Sequence, residues 1–277
     1  MTILEEIQQK FPFFSDKEKK IATYLLKNSD TLTNINISTL AKETNTSPAT
    51  ITRFAKKLNQ NGFVDLKIQL SAVPAVHIEN DMAINSDVYN FYTKVIEQTE
   101  QMVKQEDLEN VVQTIKKAPR IFIFGVGSSG LTALEFTQRL MRMGLNVVST
   151  TDSHMMLITS SMAVSGDLVI GISASGETTE VNEAILCSKQ NGAHIVSITS
   201  FPESTLSRLS DMSLLVYNSA FIGRERFINS QFAIMYQIDV ISTMLLEDNQ
   251  LNDRMNQTIK VITRNSLNEE LKRNEKS

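Results

Sequence analysis

Six consecutive residues carry much of the chemistry open to this 277-residue chain: Ser173-Ala174-Ser175-Gly176-Glu177-Thr178. They stand between the apolar run 168–172, which reads as a strand, and a helical stretch containing Val181, Ala184 and Ile185. Three hydroxyls and a glycine thus converge where the positive end of a helix dipole and its unpaired N–H groups point, which suits a compact anion. The loop has no lysine. Phosphate held there by neutral donors fits a phosphorylated metabolite better than a triphosphate with magnesium. A Ser/Thr-rich turn that merely caps a helix has the same composition and is the plainer alternative.

A second loop, Gly125-Val126-Gly127-Ser128-Ser129-Gly130, also follows an apolar run and opens a helical stretch. It has the look of a dinucleotide fingerprint, but no Asp or Glu closes the next strand near Val147-Val148 to hold a ribose, so no nicotinamide cofactor is expected. Ser128 and Ser129 offer hydroxyls and backbone N–H groups to an anion instead. The two loops lie at adjacent strand ends of an open sheet, the usual place for a ligand.

A third constellation lies near the amino terminus. Ile37, Leu40 and Ala41 begin one short helix, Asn45 occupies a turn that favours left-handed backbone, and Ser47-Pro48 starts the next helix as N-cap and first residue. On that helix Ile51, Phe54, Ala55 and Leu58 recur at helical spacing and face inward, which turns Ala49, Thr50, Thr52, Arg53 and Lys56 outward. Small residues and hydroxyls at the amino end, with Arg and Lys behind them, suit a helix that enters a DNA groove. The solvated face of an ordinary bundle is the alternative. Charge is distributed accordingly: residues 1–73 hold 10 Lys and Arg against 7 Asp and Glu, while the whole chain carries a net charge of −4.

Enzymatic use of the loops needs a general acid and base beside the ligand, for which Glu177, Glu180, His154 and Glu225 are the candidates. Glu177 and Glu180 also complement the dipole of a first helical turn, and His154 reads equally as a residue opening a helix. The lone Cys187 lies on the apolar side of its helix as a small packing residue, and Met141, Met143, Met155 and Met156 read as packing or pocket walls. One cysteine and three histidines predict neither a disulfide nor a metal site. No apolar run reaches the ~18 residues of a membrane span, and the amino terminus is acidic where a signal peptide is positive, so a cytoplasmic protein is expected.

The elements that must position these residues fall into two grammars. Residues 1–73 are helical in pattern, including a run with Ile21, Tyr24 and Leu25 after Ser15-Asp16; 74–106 holds a polar stretch from His77 to Ser86 and a helix over 87–104. After a helix over 107–117, short apolar runs at 121–124, 146–148, 168–172, 194–198 and 212–216 alternate with helix-length segments, which predicts an α/β fold with a doubly wound five-stranded parallel sheet. A long apolar helix over 229–246 follows. It and the 87–104 helix carry more apolar surface than one small sheet covers, making them the expected subunit interface.

Ser173 to Thr178 and Gly127-Ser128-Ser129 resemble the loops of sugar isomerase (SIS) domains, whose S-x-S-G-x-T loop binds sugar phosphates. With Ser47-Pro48-Ala49-Thr50-Ile51-Thr52-Arg53-Phe54 and Gly62-Phe63-Val64-Asp65-Leu66-Lys67 before them, the chain resembles the RpiR/MurR family of transcriptional regulators from about residue 1 to 247. Asp152-Ser153-His154 is similar to a D-x-H step of that family. Asn45 stands where glycine is usual, and Gln231 where an arginine after the serine is common.

The resemblance implies a helix-turn-helix DNA-binding domain at 1–73, a linker and helix at 74–106, a SIS domain at 107–247 and a tail at 248–277. It implies a regulator of carbohydrate metabolism that senses a phosphorylated sugar, with sugar-phosphate isomerase or lyase as the alternative. Ser128, Ser129, Ser173, Ser175, Gly176 and Thr178 are the expected phosphate site. Gly127, Asp152, His154 and Glu177 are candidate pocket residues, and Ser47, Ala49, Thr50, Thr52, Arg53 and Lys56 the expected DNA contacts. Operator DNA, a sugar phosphate and a second or fourth copy of the chain are the expected partners, with no cofactor, metal or membrane.

Overall fold

The structure, a computed structural model, describes residues 3–11, 14–27, 35–71, 81–218 and 229–263. Two compact units divide between Val88 and Tyr89. The first holds α1 (Ile3–Lys10), α2 (Asp16–Lys27), α3 (Ile37–Glu43), α4 (Pro48–Lys57) and α5 (Phe63–Ser71). Ile7, Ile21, Leu25, Leu40, Ile51 and Phe54 are fully buried, and the Phe14 ring lies 5.0 Å from that of Phe54. Glu18 reaches back to the residue before α2, as the glutamate of a capping box does, with the Ser15 N–H and hydroxyl both donating to Glu18 Oε2 at 2.8 Å. Lys57 adds a third donor at 2.8 Å. Burial raises the pKa of Glu18, but these bonds outweigh it and hold the carboxyl below its ordinary value. The sequence pattern did not mark α1, although Ile3, Leu4 and Ile7 are buried on one face of it.

α6 (Asp81–Met102) runs across the division and begins inside the polar stretch 77–86, six residues before the helix expected over 87–104. The second unit continues with α7 (Gln105–Lys117), β1 (Ile121–Phe124), α8 (Ser128–Arg142), β2 (Val147–Thr150), α9 (Ser153–Ser161), β3 (Leu168–Ile172), α10 (Thr179–Gln190), β4 (His194–Thr199), α11 (Thr205–Leu209), β5 (Met212–Leu215), α12 (Phe232–Leu245) and α13 (Asn249–Thr263). Among the described residues the sheet has five parallel strands in the order β2-β1-β3-β4-β5. β1 and β3 are buried along their whole length, as strands covered on both faces must be. Phe122, Phe124, Val169 and Ile195 pack with Met156, Val181, Ile185 and Leu206 in one core cluster. The region expected as a tail holds α13, whose Arg254 and Thr258 donate to the carbonyls of Gly144 and Arg142 just beyond and at the end of α8.

Much of the apolar surface that the sequence pattern left over on α6 and α12 is covered within the unit. On α12, Ala233, Ile234, Ile238, Ile241 and Leu245 are buried, and on α6 so are Phe91 and Val95. Tyr92 of α6 stacks on Phe232 of α12 at 4.0 Å, so within the unit these helices satisfy each other. Exposed large apolar side chains stand on α8 (Leu131, Leu134, Met141) and α9 (Met155, Leu157, Ile158), and on α6 at Tyr89.

At the amino ends of β1 and β3, Arg120 grips Asp167 through two bonds, Nε to Oδ1 at 2.9 Å and Nη2 to Oδ2 at 2.5 Å, while the Val164 amide also donates to Oδ2. Burial raises the Asp167 pKa, but the bonds from Arg120 and Val164 overcome it and hold the carboxyl below its ordinary value. A carboxylate with a depressed folded pKa stabilises the protein above its unfolded pKa of about 3.9, and the contribution is lost as pH falls through the folded value. Asp167→Asn is expected to cost about 2 kcal/mol at pH 7, below the 3–5 kcal/mol of a fully buried pair because the Arg120 side chain is 37% exposed. Urea unfolding at pH 7 and pH 3 checks this: the difference between variant and wild type shrinks at the lower pH.

Candidate functional site

β1 and β3 are neighbours, yet the helices that leave them run to opposite sides, α8 toward β2 and α10 toward β4. The gap between α8 and α10 at the carboxyl edge is the topological switch point of the sheet. Of the four crossover helices, α9 and α11 are closed by side chains: Asp152 accepts from the Met155 amide and Ser204 from the Ser207 amide. α8 and α10 are not. Gly127 and Thr178 occupy their N-cap positions, and neither end has a side-chain cap bond. The first-turn N–H groups of an α-helix have no intrahelical acceptor, so both ends present donors and positive dipole charge at the switch point.

The hydroxyls surround the second of these ends. Ser173 is 2% exposed; its Oγ accepts from the Gly176 amide at 3.1 Å and lies 2.9 Å from Thr178 Oγ1 and 3.5 Å from Ser175 Oγ. Ser175 is exposed and its hydroxyl accepts from the Glu177 amide beside the long contact to Ser173 Oγ. Gly176 adopts φ +65°, and a Cβ there would stand 2.1 Å from Ser204 Oγ. On the first loop Ser128 is exposed, whereas Ser129 is buried and donates to Gln231 Oε1 at 3.2 Å. Gln231 is also within 3.4 Å of Thr132 Oγ1. The loop-125 backbone passes so close to α8 that a Cβ on Gly125 would meet the Ser129 carbonyl at 2.6 Å.

Asp152 and His154 open α9 at the carboxyl end of β2, on the same edge of the sheet, and both are exposed. One carboxylate oxygen of Asp152 caps its own helix. Glu177 is spent, since its two oxygens accept from the amide and the hydroxyl of Thr205. Glu180 is exposed on the first turn of α10, and Glu225 lies outside the described residues. The Gln231 and Thr205 contacts were missed in the sequence pattern, being 102 and 28 residues from their partners.

In the amino-terminal unit, α3 ends in a left-handed Asn45 at φ 50°, with the Thr46 amide donating to Ala41 and the Asn45 amide to Lys42. The same closure ends α4 at Asn59. Ser47 caps α4 by accepting from the Thr50 amide, and Pro48 follows it. Ala49, Arg53 and Lys56 are exposed and Thr52 is half-buried. Thr50 departs from the expected outer face. It is 8% exposed with its hydroxyl 2.9 Å from Ser47 Oγ, because it precedes the buried Phe54 by one helical turn. Lys57 is paired with Glu18, which leaves Arg53 and Lys56 as the basic groups of the outer face.

Residues 1–75 match the model of the helix-turn-helix domain, rpiR family, and residues 114–239 that of the SIS domain. Over 260 residues the chain is 31% identical to an uncharacterized HTH-type transcriptional regulator of Clostridium perfringens (strain 13 / Type A), covering 90% of this chain and 93% of the relative. The chain belongs to the rpiR family of transcriptional regulators. A Haemophilus influenzae HTH-type regulator is 30% identical over 259 residues, covering 88% of this rpiR-family chain and 90% of the relative. Among solved structures, the Vibrio vulnificus NanR protein complexed with ManNAc-6P superposes with a TM-score of 0.63 at 25% identity, covering 94% of this chain and 98% of that one. The sugar isomerase domain of the RpiR transcription factor from Sphaerobacter thermophilus, 18% identical, shares the fold with a TM-score of 0.59 over 65% of this chain and 98% of its own. Among the described residues no helix of this rpiR-family regulator is long and apolar enough to cross a membrane.

Proposed function

We propose that this rpiR-family regulator binds operator DNA through α4 and senses a phosphorylated sugar at the switch point of its SIS domain. The observation that carries the effector reading is the pair of uncapped helix ends, α8 and α10, facing one crevice lined with hydroxyls. The phosphate sits on Ser128, Ser173, Ser175 and Thr178 with first-turn amides of α10, and Gly176 lets the loop close around it. Ser129 contributes its backbone, its hydroxyl being held by Gln231. Gly127 and His154 line the sugar side, with Asp152 shaping the same wall through its cap of α9. The ManNAc-6P bound by NanR supports a sugar 6-phosphate as the ligand class. Residues 1–73 carry the DNA-binding domain and 107–247 the effector domain, in a cytoplasmic protein.

Catalysis is not part of this reading. Glu177, the acidic residue inside the second loop, has both carboxylate oxygens occupied by structural hydrogen bonds. A homodimer or homotetramer presents two recognition helices to half-sites about 34 Å apart; light scattering that returns only monomer removes that arrangement.

The test is calorimetric titration with ManNAc-6P and other hexose and amino-sugar 6-phosphates, each beside its unphosphorylated sugar. Only the phosphorylated forms are expected to bind. Ser175→Asp puts a carboxylate where the phosphate belongs, and is expected to remove binding while operator affinity without effector changes little. Equal binding by Ser175→Asp and wild type places the phosphate elsewhere.

A further inference from the structure

A carboxylate inside a loop built to receive a phosphate dianion is electrostatically out of place, since like charges at short range repel. Glu177 occupies such a position, one residue before Thr178 and two after Ser175. Its carboxylate is engaged elsewhere. Oε1 accepts from the Thr205 amide at 3.2 Å and Oε2 from the Thr205 hydroxyl at 2.8 Å, so both donors of one residue hold both oxygens. Thr205 opens α11, and its amide belongs to a first helical turn where negative charge is welcome.

The same seam is tied at three further points. The Ser200 amide donates to the Ala174 carbonyl at 3.0 Å, and the Leu206 amide to the Gly176 carbonyl at 3.0 Å. Gly176 also lies so close to Ser204 that no side chain fits between them. From behind, Asn182 of α10 donates to the same Gly176 carbonyl at 3.2 Å. Residues 174–177 are thereby fixed to 200–206. Glu177 is the side chain that the loop itself contributes to this seam, and Arg208 of α11 donates to the same Thr205 hydroxyl at 3.4 Å.

We propose that Glu177 is a positioning residue for the phosphate loop, clamping it to Thr205 at the start of α11 and in doing so turning its own charge away from the ligand. This rests on the loop being the effector site. The clamp orients Thr178 and the first-turn amides of α10, and its partner segment, 199–206, becomes part of the effector site without touching the ligand.

The experiment measures affinity for inorganic phosphate and for ManNAc-6P by calorimetry, alongside amide hydrogen exchange, in the full chain. Glu177→Ala is expected to weaken binding at least tenfold and to speed exchange of the Thr205 and Leu206 amides with β3 and β4 unchanged. Glu177→Gln keeps an acceptor for Thr205 and removes the charge, so it stays within threefold of wild type. Thr205→Val weakens binding several-fold, Thr205→Ser restores it, and Glu177→Ala with Thr205→Val is no weaker than Glu177→Ala alone, since both break one clamp.

Wild-type affinity together with a protected Thr205 amide in Glu177→Ala overturns the proposal. So does a loss in Glu177→Ala that Thr205→Val neither shares nor saturates, because Glu177 then touches the ligand directly. If wild type binds neither probe, the effector reading fails, and the exchange arm alone still decides the clamp. If Glu177→Ala does not fold, Glu177→Gln and the Thr205 pair decide it.

Discussion

Gly176→Ala is expected to abolish the response to sugar phosphates, lowering effector affinity at least 100-fold, and to cost the SIS unit about 3 kcal/mol of stability. Two constraints act at this position. Its φ of +65° lies in the left-handed region, where a Cβ costs roughly 1–2 kcal/mol. The added Cβ would also stand 2.1 Å from Ser204 Oγ, 2.3 Å from Ser204 Cβ and 2.8 Å from Thr199 Oγ1. Rotating Ser204 does not relieve this, because its Cβ is itself too near and the residue is only 2% exposed. Overpacking of such a site costs about 1–3 kcal/mol, and the cheapest relief is to pull residues 174–177 away from α11. That movement dismantles the arrangement of Ser173, Ser175 and Thr178 on which a phosphate would rest.

Titration with the sugar phosphate and urea unfolding, on Gly176→Ala and on the same variant carrying Ser204→Gly, read the two constraints separately. Removing the Ser204 side chain relieves the two closest contacts while the backbone strain and the 2.8 Å approach to Thr199 Oγ1 stay, so part of the stability returns. Effector affinity like that of wild type in Gly176→Ala places the phosphate away from this loop.

What could be read in the sequence is what short-range chemistry dictates. Asn45, Ser47 and Pro48 act within a few residues of themselves, and the turn between α3 and α4 has the geometry those residues imply. The two serine loops were equally legible, since strand, loop and helix succeed one another along the chain. Five apolar runs separated by helix-length segments implied a doubly wound parallel sheet, and the order β2-β1-β3-β4-β5 places the loops after β1 and β3 side by side.

The rest depends on partners that are distant in sequence or on a fine rotation about a helix axis. Ser129 read as a phosphate ligand, but Gln231 takes its hydroxyl from 102 residues away. Glu177 read as an acid, a dipole partner or a pocket wall, and Thr205 holds it. Thr50 is turned from the outer face by a fraction of a helical turn: adjacent residues differ by about 100°, so position 50 falls between the side of Phe54, four residues on, and that of Arg53, three on, and it is buried. The apolar faces of α6 and α12 were read as unpartnered because nothing local shows that Tyr92 and Phe232 meet. Regular structure follows from neighbours in sequence, and the identity of a site follows from neighbours in space.

Arg53→Ala is expected to weaken operator binding by roughly 5- to 150-fold, corresponding to the ~1–3 kcal/mol of a guanine contact, and to relax preference at one base position. Arg53 is exposed on α4 between Thr52 and the buried Phe54, and its Nη2 lies 3.4 Å from Thr50 Oγ1, which steers the side chain along the amino-terminal half of the helix. Lys56 stands one turn further on, near the carboxyl end, where an ammonium meets phosphates more readily than base edges. Lys56→Ala is accordingly expected to weaken binding evenly across sequences and to reduce the slope of log affinity against log salt by about one.

Thr50→Val separates a base contact by Thr50 from its support of Arg53: the Thr50 hydroxyl lies 2.9 Å from Ser47 Oγ and accepts from Arg53 Nη2, so any change in operator preference is confined to the base position that Arg53→Ala relaxes. Lys57→Ala, which breaks the pair with Glu18, changes the stability of the amino-terminal unit rather than base preference. Fluorescence anisotropy on a two-half-site operator and on others with single base pairs changed, at two salt concentrations, measures all four variants. A retained base preference in Arg53→Ala, or one lost at a different base position in Thr50→Val, would mean that a different face of α4 enters the groove.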